Sequence, residues 1–490
     1  MASVPPIRIR PVHQCSVNSG GDYVLYWMTA ACRTRFHFAL QRAVEWAEQL
    51  HKPLVVLEAL RCNYPWASDR IHAFVLEGMV DNARAWARQT LVYYPYVEPC
   101  VDAGKGLLGA LALQAAVVVS DDYPCSFLPR MVRAAAKQIT VRFELVDSNG
   151  LLPMRAADRV FARAFDFRRF LQNHLPDHLD ALPDADPLEG RRLASRVTLP
   201  DTITRRWPQA DLQDLTTRRA ALSDLPLDHT VGPVADTRGG MRAAEQALRT
   251  FLESKLARYG EDRNQPEEDI CSRLSPYLRA GHISVQQVFL ETTARDGWSV
   301  AKISGKADGS AAGWWGASPA VEAFLDELIT WREVGFNMCS HREDYDQYGS
   351  LPEWSRQTLA KHARDRREHV YTLEQFANAS THDPLWNAAQ RQLRREGRIH
   401  NYLRMLWGKK VLEWTASPEE ALAVLIELNN RYALDGRDPN SYSGIFWCLG
   451  RYDRAWGPER PIFGTVRYMS SENTARKVRV KSYVEAYASI

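Results

Sequence analysis

The chain has little net charge, no long apolar run and no cysteines at metal-binding spacing. Its 62 basic and 59 acidic side chains leave a formal charge of +3 over 490 residues, of which 45% are apolar. The longest apolar stretch, residues 107–119, is interrupted by Gln114 and is shorter than the ~20 residues that a membrane-spanning helix needs. The composition predicts a soluble globular protein and excludes disordered, collagen-like and membrane-spanning classes.

Signals for targeting and metal binding are also missing. Residues 1–6 contain no apolar signal core, and the eight cysteines show no CxxC or other metal-knuckle spacing. We therefore expect reduced thiols, a cytoplasmic protein and no bound metal. What the chain does have is tryptophan: fifteen residues, ten of them after residue 290.

The first 180 residues alternate short β-type runs with longer helical patterns, which is typical of a parallel α/β sheet. The runs cover residues 23–28, 54–57, 91–96, 115–120 and 141–146, and helical periodicity covers residues 36–50 and 71–91. We predict a Rossmann-like domain over residues 1–180. It lacks GxGxxG and GxxxxGK[ST], so the usual dinucleotide and P-loop cradles are excluded.

Two further segments follow. Residues 181–240 shift to Pro, Asp, Arg and Thr with poor periodicity, which predicts a long interdomain connector. Residues 241–490 carry almost only helical signals. Asp383 before Pro384 and Ser417 before Pro418 predict helix starts, and Glu420 suggests a capping box at the second. The fold class is therefore α/β plus all-α.

Several polar residues stand where chemistry is plausible. Ser272 and Ser275 lie at a possible helix start, where backbone N–H groups can bind phosphate; the alternative is a simple helix cap in a surface loop. Glu327 and Trp331 are four residues apart, so a carboxylate and an indole share one helical face. The alternative there is an exposed glutamate beside a packed tryptophan.

Three tryptophans, Trp386, Trp407 and Trp414, fall in helical sequence, the last two on one face. They are either core residues or single-electron donors to an excited cofactor. Asn401 and Arg404 are three residues apart, on the helical face of Trp407 or close to it, and could hold a charged ring system.

Beyond these helices the chain places polar residues in loops. Asn429 and Asp435 border a polar turn that leads to Trp447, and residues 459–469, including Arg467, combine arginines with aromatic side chains. Such a mixture suits a nucleic-acid backbone with unstacked bases, although a surface loop is the alternative.

In this order, the segments closely resemble the class II cyclobutane pyrimidine dimer DNA photolyases of the photolyase/cryptochrome superfamily. The motifs that carry the resemblance are residues 227–234, 272–278, 406–415 and 434–440. The resemblance covers most of the chain. It implies an N-terminal antenna-type α/β domain, and a C-terminal helical domain that holds reduced FAD in a bent conformation.

The resemblance also implies the site residues. Those for FAD are Tyr259, Ser272, Leu274, Ser275, Asn401, Arg404, Asn429 and Asp435. Arg404 and Asp435 would pair beside the flavin ring, and Asn429 would face the flavin N5.

For the lesion, the resemblance makes Glu327 the hydrogen-bonding partner of the dimer's carbonyl edge. Trp331 and Trp447 would form the indole walls of its pocket, and Arg467 would enter the gap left in the duplex. Trp386, Trp407 and Trp414 would recharge the flavin by electron transfer. A dimer must be flipped out of the duplex to react, and its weakened pairing lowers that cost.

DNA containing such dimers is the implied partner, and local clustering of basic residues supports DNA binding despite the small net charge. The cluster consists of Arg391, Arg394, Arg395, Arg398, Lys409 and Lys410.

The chain departs from the family pattern in one loop. Residues 450–460 have Tyr452 where the family usually has histidine and one extra residue before Glu459, and Thr465 and Ser470 stand where Lys and Asn are common. Near the N-terminus, residues 26–35 follow the family's strand end only loosely. The family-based expectation is a second, antenna chromophore such as a deazaflavin. An empty antenna pocket is the alternative.

Two other functions compete. A cryptochrome-like photoreceptor without repair activity would not need Glu327 between two indoles. Repair of (6-4) photoproducts needs a proton donor at the lesion, usually histidine. No histidine lies in residues 327–331, and His282 cannot be placed from the sequence.

Overall fold

A computed structural model describes residues 3–217 and 222–489. Six strands form one sheet in the order β1-β6-β5-β2-β3-β4. The strands are β1 Ile9–Pro11, β2 Tyr23–Met28, β3 Leu54–Leu60, β4 Val92–Val97, β5 Ala115–Asp121 and β6 Arg142–Val146. Strands β2 to β6 pair in parallel, as predicted. Strand β1 was missed and pairs antiparallel with β6, so the sheet is mixed. Its three residues include Arg10 and Pro11 and give no apolar run, which suits an edge strand.

The first four helices cover both faces of this sheet, the fifth packs on the helical part that follows, and the last two lie in the connector. These helices are α1 Phe38–Leu50, α2 Asp69–Trp86, α3 Leu107–Leu113, α4 Leu128–Ala136, α5 Ala164–His174, α6 Asp201–Thr204 and α7 Leu212–Thr217. Helix α1 begins at His37, whose Nδ1 accepts from the backbone of Leu40 at 3.2 Å. Apolar residues of β2 to β6 are almost wholly buried, as two covered faces require.

The part of the chain described after β6 contains helices and no further strand. These are α8 Met241–Ser254, α9 Tyr259–Asp262, α10 Ser275–Ala280, α11 Val285–Arg295, α12 Pro319–Leu325, α13 Arg332–His341, α14 Glu353–Lys361, α15 Leu373–Ala377, α16 Pro384–Glu396, α17 Asn401–Trp414, α18 Pro418–Tyr432, α19 Pro439–Cys448, α20 Ser471–Lys477 and α21 Lys481–Ala486. Short 3₁₀ turns join them at Pro6–Arg8, Met154–Ala156, Leu175–His178, Leu256–Arg258, Val300–Lys302 and Tyr348–Ser350. One π-helical turn, Asp326–Trp331, joins α12 to α13.

Both predicted proline-led helix starts are present. The Asp383 carboxylate accepts from the backbone of Leu385 at 2.9 Å, and Ser417 Oγ accepts from that of Glu420 at 3.1 Å. The capping box at the second start is incomplete, because Glu420 accepts from Ala416 instead of Ser417. The helix is therefore capped one way only at Ser417.

The connector lies against the α/β layer. Leu199, Ile203 and Trp207 join the core beneath the sheet, and Trp207 Nε1 donates to the Ala103 carbonyl at 3.0 Å. The sequence of this segment has little helical or strand periodicity because short turns and helices pack against the α/β layer. The exact domain boundaries stay predictions.

Two arginines connect the sheet to the helical part. Arg70 on α2 donates to the carbonyls of Tyr432 and Arg394 at 2.6 Å each, at the ends of α18 and α16. Arg33 donates to the Gly281 carbonyl at 3.2 Å. Gly281 has φ +75°, and a Cβ there would collide with the Ala30 carbonyl, so only glycine fits this contact. These bonds hold the site-bearing helices against the sheet.

Within residues 3–217 and 222–489, no helix is long and apolar enough to cross a membrane, and no group of three or more metal-ligating side chains is found. The eight cysteines are all free thiols.

Candidate active site

One cleft in the helical part collects most of the predicted cofactor residues. Its walls come from residues 259–279, 324–332, 398–404 and 435–441, and its empty space, mouth included, is about 1150 Å³. The predicted residues that line it are Tyr259, Ser272, Leu274, Ser275, Glu327, Asn401, Arg404 and Asp435. Segments separated by as much as 180 positions therefore meet in one place.

Arg404 and Asp435 form an ion pair in the cleft wall. Arg404 Nη2 lies 3.0 and 3.2 Å from the two carboxylate oxygens of Asp435, and Ser275 Oγ donates to the same carboxylate at 2.8 Å. Arg404 on α17 and Asp435 after α18 are brought together because these helices pack side by side. The pair fixes a cation and an anion at the edge of the cleft, which suits the polar rim of a ring system.

Glu327 lies in the π-helical turn and faces the cleft beside Arg263. Glu327 Oε1 accepts from Arg263 Nη1 at 2.5 Å, and the guanidinium lies 5.6 Å from the ring centre of Tyr259. Burial raises the pKa of Glu327 above the usual carboxyl range, while Arg263 opposes that shift. The Glu327 side chain keeps 30% of its exposure, so the carboxyl group is recessed but reachable. A π-turn at such a residue is common at functional sites.

His400 lines the cleft without a described hydrogen-bond partner for its ring, and the predicted cofactor residue Asn429 does not line the cleft. His400 is 4% exposed, and among the described residues neither of its ring nitrogens has a hydrogen-bond partner. Burial lowers its pKa to about 4, so the imidazole is neutral. Asn429 lies behind the wall, where its amide donates to Ser441 Oγ at 2.6 Å. Ser441 lines the cleft at that point, and the role of Asn429 at a flavin stays a prediction.

The three predicted tryptophans form a contiguous row. Trp386 stacks on Trp407 with ring centres 6.4 Å apart and planes 5° from parallel, and it meets Trp414 edge-on at 6.0 Å. Trp386 Nε1 donates to the Trp407 carbonyl at 3.0 Å, and Trp407 Nε1 donates to Gln390 Oε1 at 3.0 Å. Trp386 is thus the central member, a fact that spacing in the sequence does not give.

A second group surrounds Trp447, at the outer end of α19. The Arg467 guanidinium lies 5.6 Å from the Trp447 ring centre and 5.0 Å from that of Trp456. Lys409, on α17, places its Nζ 4.9 Å from the Trp447 ring centre and donates to the Cys448 carbonyl at 2.7 Å. Trp331 shares the π-turn with Glu327, and the helix that follows packs closely on α19 at Gly335.

The proposed basic cluster is not one DNA-facing surface, and this expectation is wrong. Lys409 is fully buried, and Arg391 and Arg395 donate to the backbone carbonyls of Tyr487 and Ala486 at the C-terminal turn. Exposed cations lie instead beside the Trp456 groove, where Arg460, Arg467 and Lys477 contribute to its walls. Adjacent basic positions on helices point different ways, so clustering in sequence did not predict clustering in space.

The unusual loop after α19 is well supported. Tyr452, in place of the common histidine, is 5% exposed and donates to the Val334 carbonyl at 3.3 Å. Asp453 accepts from Trp456 Nε1 at 3.0 Å, and Ser470 caps α20 by accepting from Asn473 at 3.2 Å. The substitutions therefore serve the fold of the loop.

His282, which the sequence could not place, makes its contacts away from the residues predicted to bind the lesion. Its Nδ1 accepts from the backbone of Gly240 at 2.9 Å, and its ring packs on Phe74 at 5.1 Å. It belongs to the packing between α2 and the helical part, and it does not line the cleft.

The cleft fits the chemistry of a flavin dinucleotide. Arg273, Arg279 and Arg398 line the cleft together with Ser272 and Ser275, a set of cations and hydroxyls of the kind that a pyrophosphate requires. His400 offers buried ring nitrogens without partners, which is what a polar ligand group would satisfy. Ser272 and Ser275 were predicted from the sequence, whereas the cofactor-side placement of the three arginines, His400 and Arg263 was missed. The spacing of Tyr259 and Arg263, one helical turn apart, was the available signal.

Comparisons with known proteins agree with this architecture. A scan against protein-family models finds no match. Among curated proteins, the chain is 34% identical over 484 residues to a deoxyribodipyrimidine photo-lyase of Methanothermobacter thermautotrophicus, covering 98% of this chain and 97% of that one. Proteins of the same name from Potorous tridactylus and Arabidopsis thaliana are 32% and 33% identical, covering 97% and 100% of this chain and 83% and 94% of theirs.

Among solved structures, a bacterial class III photolyase from Agrobacterium tumefaciens superposes with a TM-score of 0.65 at 17% identity, covering 97% of this chain and 88% of that chain. The fold is therefore of the photolyase class. Together with its full-length relatives, this places the chain in the deoxyribodipyrimidine photo-lyase family, as the class II motifs predicted.

Proposed function

We infer that this chain catalyses the light-driven repair of cyclobutane pyrimidine dimers in DNA, a carbon–carbon lyase reaction. Full-length relatives carry the name of that activity. The structural observation that carries the proposal is the meeting of Glu327 with the Arg404–Asp435 pair in one cleft. Dimer-containing DNA is the substrate.

The cleft would hold FAD, with Arg404 and Asp435 at the flavin edge and the serines and arginines of its outer part at the phosphates. The chemistry that reduced FAD would supply there is the light-driven donation of a single electron to the dimer. The bent conformation and the contact of Asn429 with the ring are predictions from the family. Buried polar groups without partners in the wall support the presence of a polar ligand.

The flipped-out dimer would enter beside Glu327. In its protonated form the Glu327 carboxyl donates a hydrogen bond to a dimer carbonyl, and burial favours that form by raising the pKa. Trp331 and Trp447 would form the walls, and Arg467, already stacked near Trp447, would occupy the space vacated in the duplex. Exposed Arg460 and Lys477 would neutralise DNA phosphates at the neighbouring groove.

The tryptophan row would restore the reduced cofactor. Trp407 would donate an electron towards the cleft. Trp386 would then reduce the oxidised Trp407, and Trp414 would reduce Trp386, between ring centres 6.4 and 6.0 Å apart. The indole N–H groups of Trp386 and Trp407 donate hydrogen bonds to protein acceptors, and both side chains are buried. They therefore stay in place during electron transfer.

A second cavity, about 880 Å³ with its mouth, lies at the carboxyl ends of β2 and β3. This is where open α/β sheets bind ligands. Glu58 is buried there, with one oxygen bonded to Tyr93 and Asn82 and the other without a partner among the described residues. We propose this cavity as the antenna site, with a deazaflavin as the expected chromophore, which mass spectrometry of released chromophores tests. A monomer acting where the cell keeps its DNA, in nucleoid or nucleus, is expected, and light scattering tests the oligomeric state.

The function is tested with purified protein under blue light with reductant, on one oligonucleotide that carries a thymine dimer and on a second that carries a (6-4) photoproduct. The expected result is a flavin absorption spectrum in the dark and light-dependent loss of dimers. Flavin that photoreduces without loss of dimers would indicate a photoreceptor, and loss of (6-4) photoproducts alone would indicate the other repair reaction. Protein without flavin would contradict the proposed cofactor.

A further inference from the structure

Lys409 is a buried cation that the proposed repair reaction does not use. It lies on α17 with 0% exposure, and its ammonium group donates to the Cys448 carbonyl at 2.7 Å, at the end of α19. Among the described residues, no carboxylate forms an ion pair with it. Burying an ammonium group without a counterion is costly, so the protein keeps this charge in place at the expense of stability.

The charge lies against Trp447, the predicted wall of the lesion pocket. Lys409 Nζ is 4.9 Å from the centre of the Trp447 ring, and the Arg467 guanidinium is 5.6 Å from it. No described residue accepts a hydrogen bond from Trp447 Nε1. A positive charge beside an indole opposes its oxidation to a cation radical, because two positive charges would then lie side by side. Both cations therefore disfavour the loss of an electron from Trp447.

The two inner tryptophans of the row have the opposite surroundings. The N–H groups of Trp386 and Trp407 donate at 3.0 Å each to oxygen acceptors, the Trp407 carbonyl and Gln390 Oε1. In the part of the chain that the structure describes, no cation lies over either ring. Oxygen dipoles directed at an indole N–H stabilise positive charge that develops on the ring. The row therefore loses an electron more easily than Trp447 does.

The next residue along the chain, Lys410, provides an internal comparison. Its Nζ lies 5.3 Å from the ring centre of Trp414, the remaining member of the row, and it is paired with Glu413 at 2.8 Å. The glutamate compensates much of the positive charge at Trp414. Two adjacent lysines of α17 thus lie over two tryptophans. The one at the row has a counterion, and the one at the lesion wall has none among the described residues.

Trp447 needs protection from oxidation if the cleft holds a flavin. A dimer that receives the flavin's electron must lie within electron-transfer distance, and an indole against the dimer is only one ring further away. Without protection, Trp447 would donate to an excited, oxidised flavin as Trp407 does. Trp407 is then reduced by Trp386, whereas no described aromatic ring contacts Trp447. An electron lost by Trp447 would leave a positively charged radical at the lesion wall.

We propose that Lys409 determines the specificity of electron transfer: its ammonium group prevents electron donation by Trp447, so that the row alone recharges the cofactor. This rests on the proposed function of the cleft and of the row. The alternative is a structural role, in which Lys409 only caps the C-terminal end of α19. Removing the charge distinguishes the two roles, because loss of a cap lowers stability, whereas loss of protection adds an electron donor.

The test is steady-state photoreduction of the flavin-loaded protein under blue light, without DNA, in variants that lack the first donor of the row. Trp407→Phe should photoreduce far more slowly than wild type. Trp407→Phe/Lys409→Met should photoreduce about threefold to tenfold faster than Trp407→Phe, because a repelling charge has been removed from Trp447. Adding Trp447→Phe should abolish that gain. The matched control, Trp407→Phe/Lys410→Met, removes the paired lysine and should stay as slow as Trp407→Phe.

A pH profile tests the same charge without substitution of the lysine. Burial lowers the pKa of Lys409 to about 8. The other titratable groups that face it are Cys448, whose pKa is raised to about 11 by burial, and Asp453 and Arg467, whose residue types titrate far from pH 8. Photoreduction of Trp407→Phe should be slow below the pKa of Lys409, where the lysine is charged, and should rise as the pH rises through it. Dividing by the rate of the Lys409→Met double variant at each pH removes the pH dependence of flavin and reductant.

Fluorine NMR of fluorotryptophan-labelled protein in the dark gives a readout that needs no electron transfer. The Trp447 resonance, assigned by its loss in Trp447→Phe, should shift with the titration of Lys409 and should not shift in Lys409→Met. A resonance that ignores this titration would overturn the proposal.

Photoreduction can also contradict the proposal and leave the row intact. This is the outcome if Trp407→Phe/Lys409→Met stays as slow as Trp407→Phe at every pH, and lower stability alone would make Lys409 a helix cap. A gain that survives Trp447→Phe would overturn the proposal as well, because the electron would come from another residue. Wild-type photoreduction in Trp407→Phe would remove the row and the proposal together.

Discussion

The cleft and the tryptophan row lie side by side in the helical part, and they are built on opposite principles. The cleft wall contains charges, hydroxyls and, in His400, ring nitrogens without partners among the described residues. The three tryptophans of the row are buried, and the N–H groups of Trp386 and Trp407 already have protein acceptors. The cleft thus keeps polar groups that a ligand could satisfy, whereas the indole N–H groups of Trp386 and Trp407 are satisfied by the protein. Substitutions should therefore affect ligand affinity in one region and electron delivery in the other.

The sharpest separation is expected for Trp407→Phe. Photoreduction should fail, while chemically reduced protein still repairs dimers, because electron donation to the lesion does not need this indole. Leaving Gln390 Oε1 unpaired should also cost about 1–3 kcal/mol of unfolding free energy. Steady-state photoreduction and denaturant unfolding measure the two effects.

A matched control is Trp66→Phe, which removes an indole bond to Glu427 of 2.8 Å outside the row. It should photoreduce normally. If Trp407→Phe lost both photoreduction and repair, the residue would be structural, and the contrast between the regions would fail.

Asp435→Asn should weaken flavin binding and leave the tryptophan row unchanged. Loss of a charged hydrogen-bond partner for Arg404 is worth about 1.5–3 kcal/mol, which corresponds to roughly a 10–100-fold rise in Kd. Fluorescence titration of flavin-free protein with FAD measures it. Asp228→Asn, which removes an Arg431 ion pair of 3.0 Å outside the cleft, should bind FAD normally. Equal loss in both variants would argue against a cofactor role for Asp435.

Glu327 should confer a pH dependence on binding of dimer-containing DNA. Its pKa lies above the usual carboxyl range, so binding through the protonated form should be strongest below that pKa and weaken as the pH rises through it. Glu327→Gln donates at every pH and should flatten the profile. Glu327→Ala should keep FAD and lose about threefold to tenfold in affinity, one hydrogen bond's worth. A profile in Glu327→Gln identical to that of wild type would contradict the assignment.

The smallest effect is expected for Arg467→Ala. This exposed guanidinium near Trp447 and Trp456 should contribute about 0.5–1 kcal/mol, a twofold to fivefold preference for damaged over undamaged duplex. Lys477→Ala should instead weaken binding of both duplexes equally and reduce its salt dependence. Competition binding at two salt concentrations separates them. If Arg467→Ala also weakened binding of both duplexes equally and reduced its salt dependence, Arg467 would be a phosphate contact.

The sequence allowed much of this to be predicted, where the signal was local or carried by motifs. Strands β2 to β6 follow apolar runs, and the helix starts at Asp383 and Ser417 follow capping residues. Motif resemblance predicted the pairing of Arg404 with Asp435, which no spacing could supply across 31 residues.

What could not be predicted depends on three-dimensional packing. The edge strand β1 has no apolar signal, and the burial of Lys409 depends on how α17 meets α19. Arg263 shows its role only when its ion pair with Glu327 is seen. These are contacts between distant segments, for which a single sequence has no periodic signal.

The π-helical turn at Asp326–Trp331 sets the direction of the Glu327 side chain separately from the helix α13 that follows it. A turn of this kind contains one residue more than an α-helical turn, so removing one residue would turn everything before it by about 100° relative to α13. Tightening the coil in that way would swing Glu327 out of line with Arg263 while α13 kept its packing against α19 at Gly335. The direction of the Glu327 carboxyl group is thus set by the one additional residue of the π-turn, independently of the packing of α13.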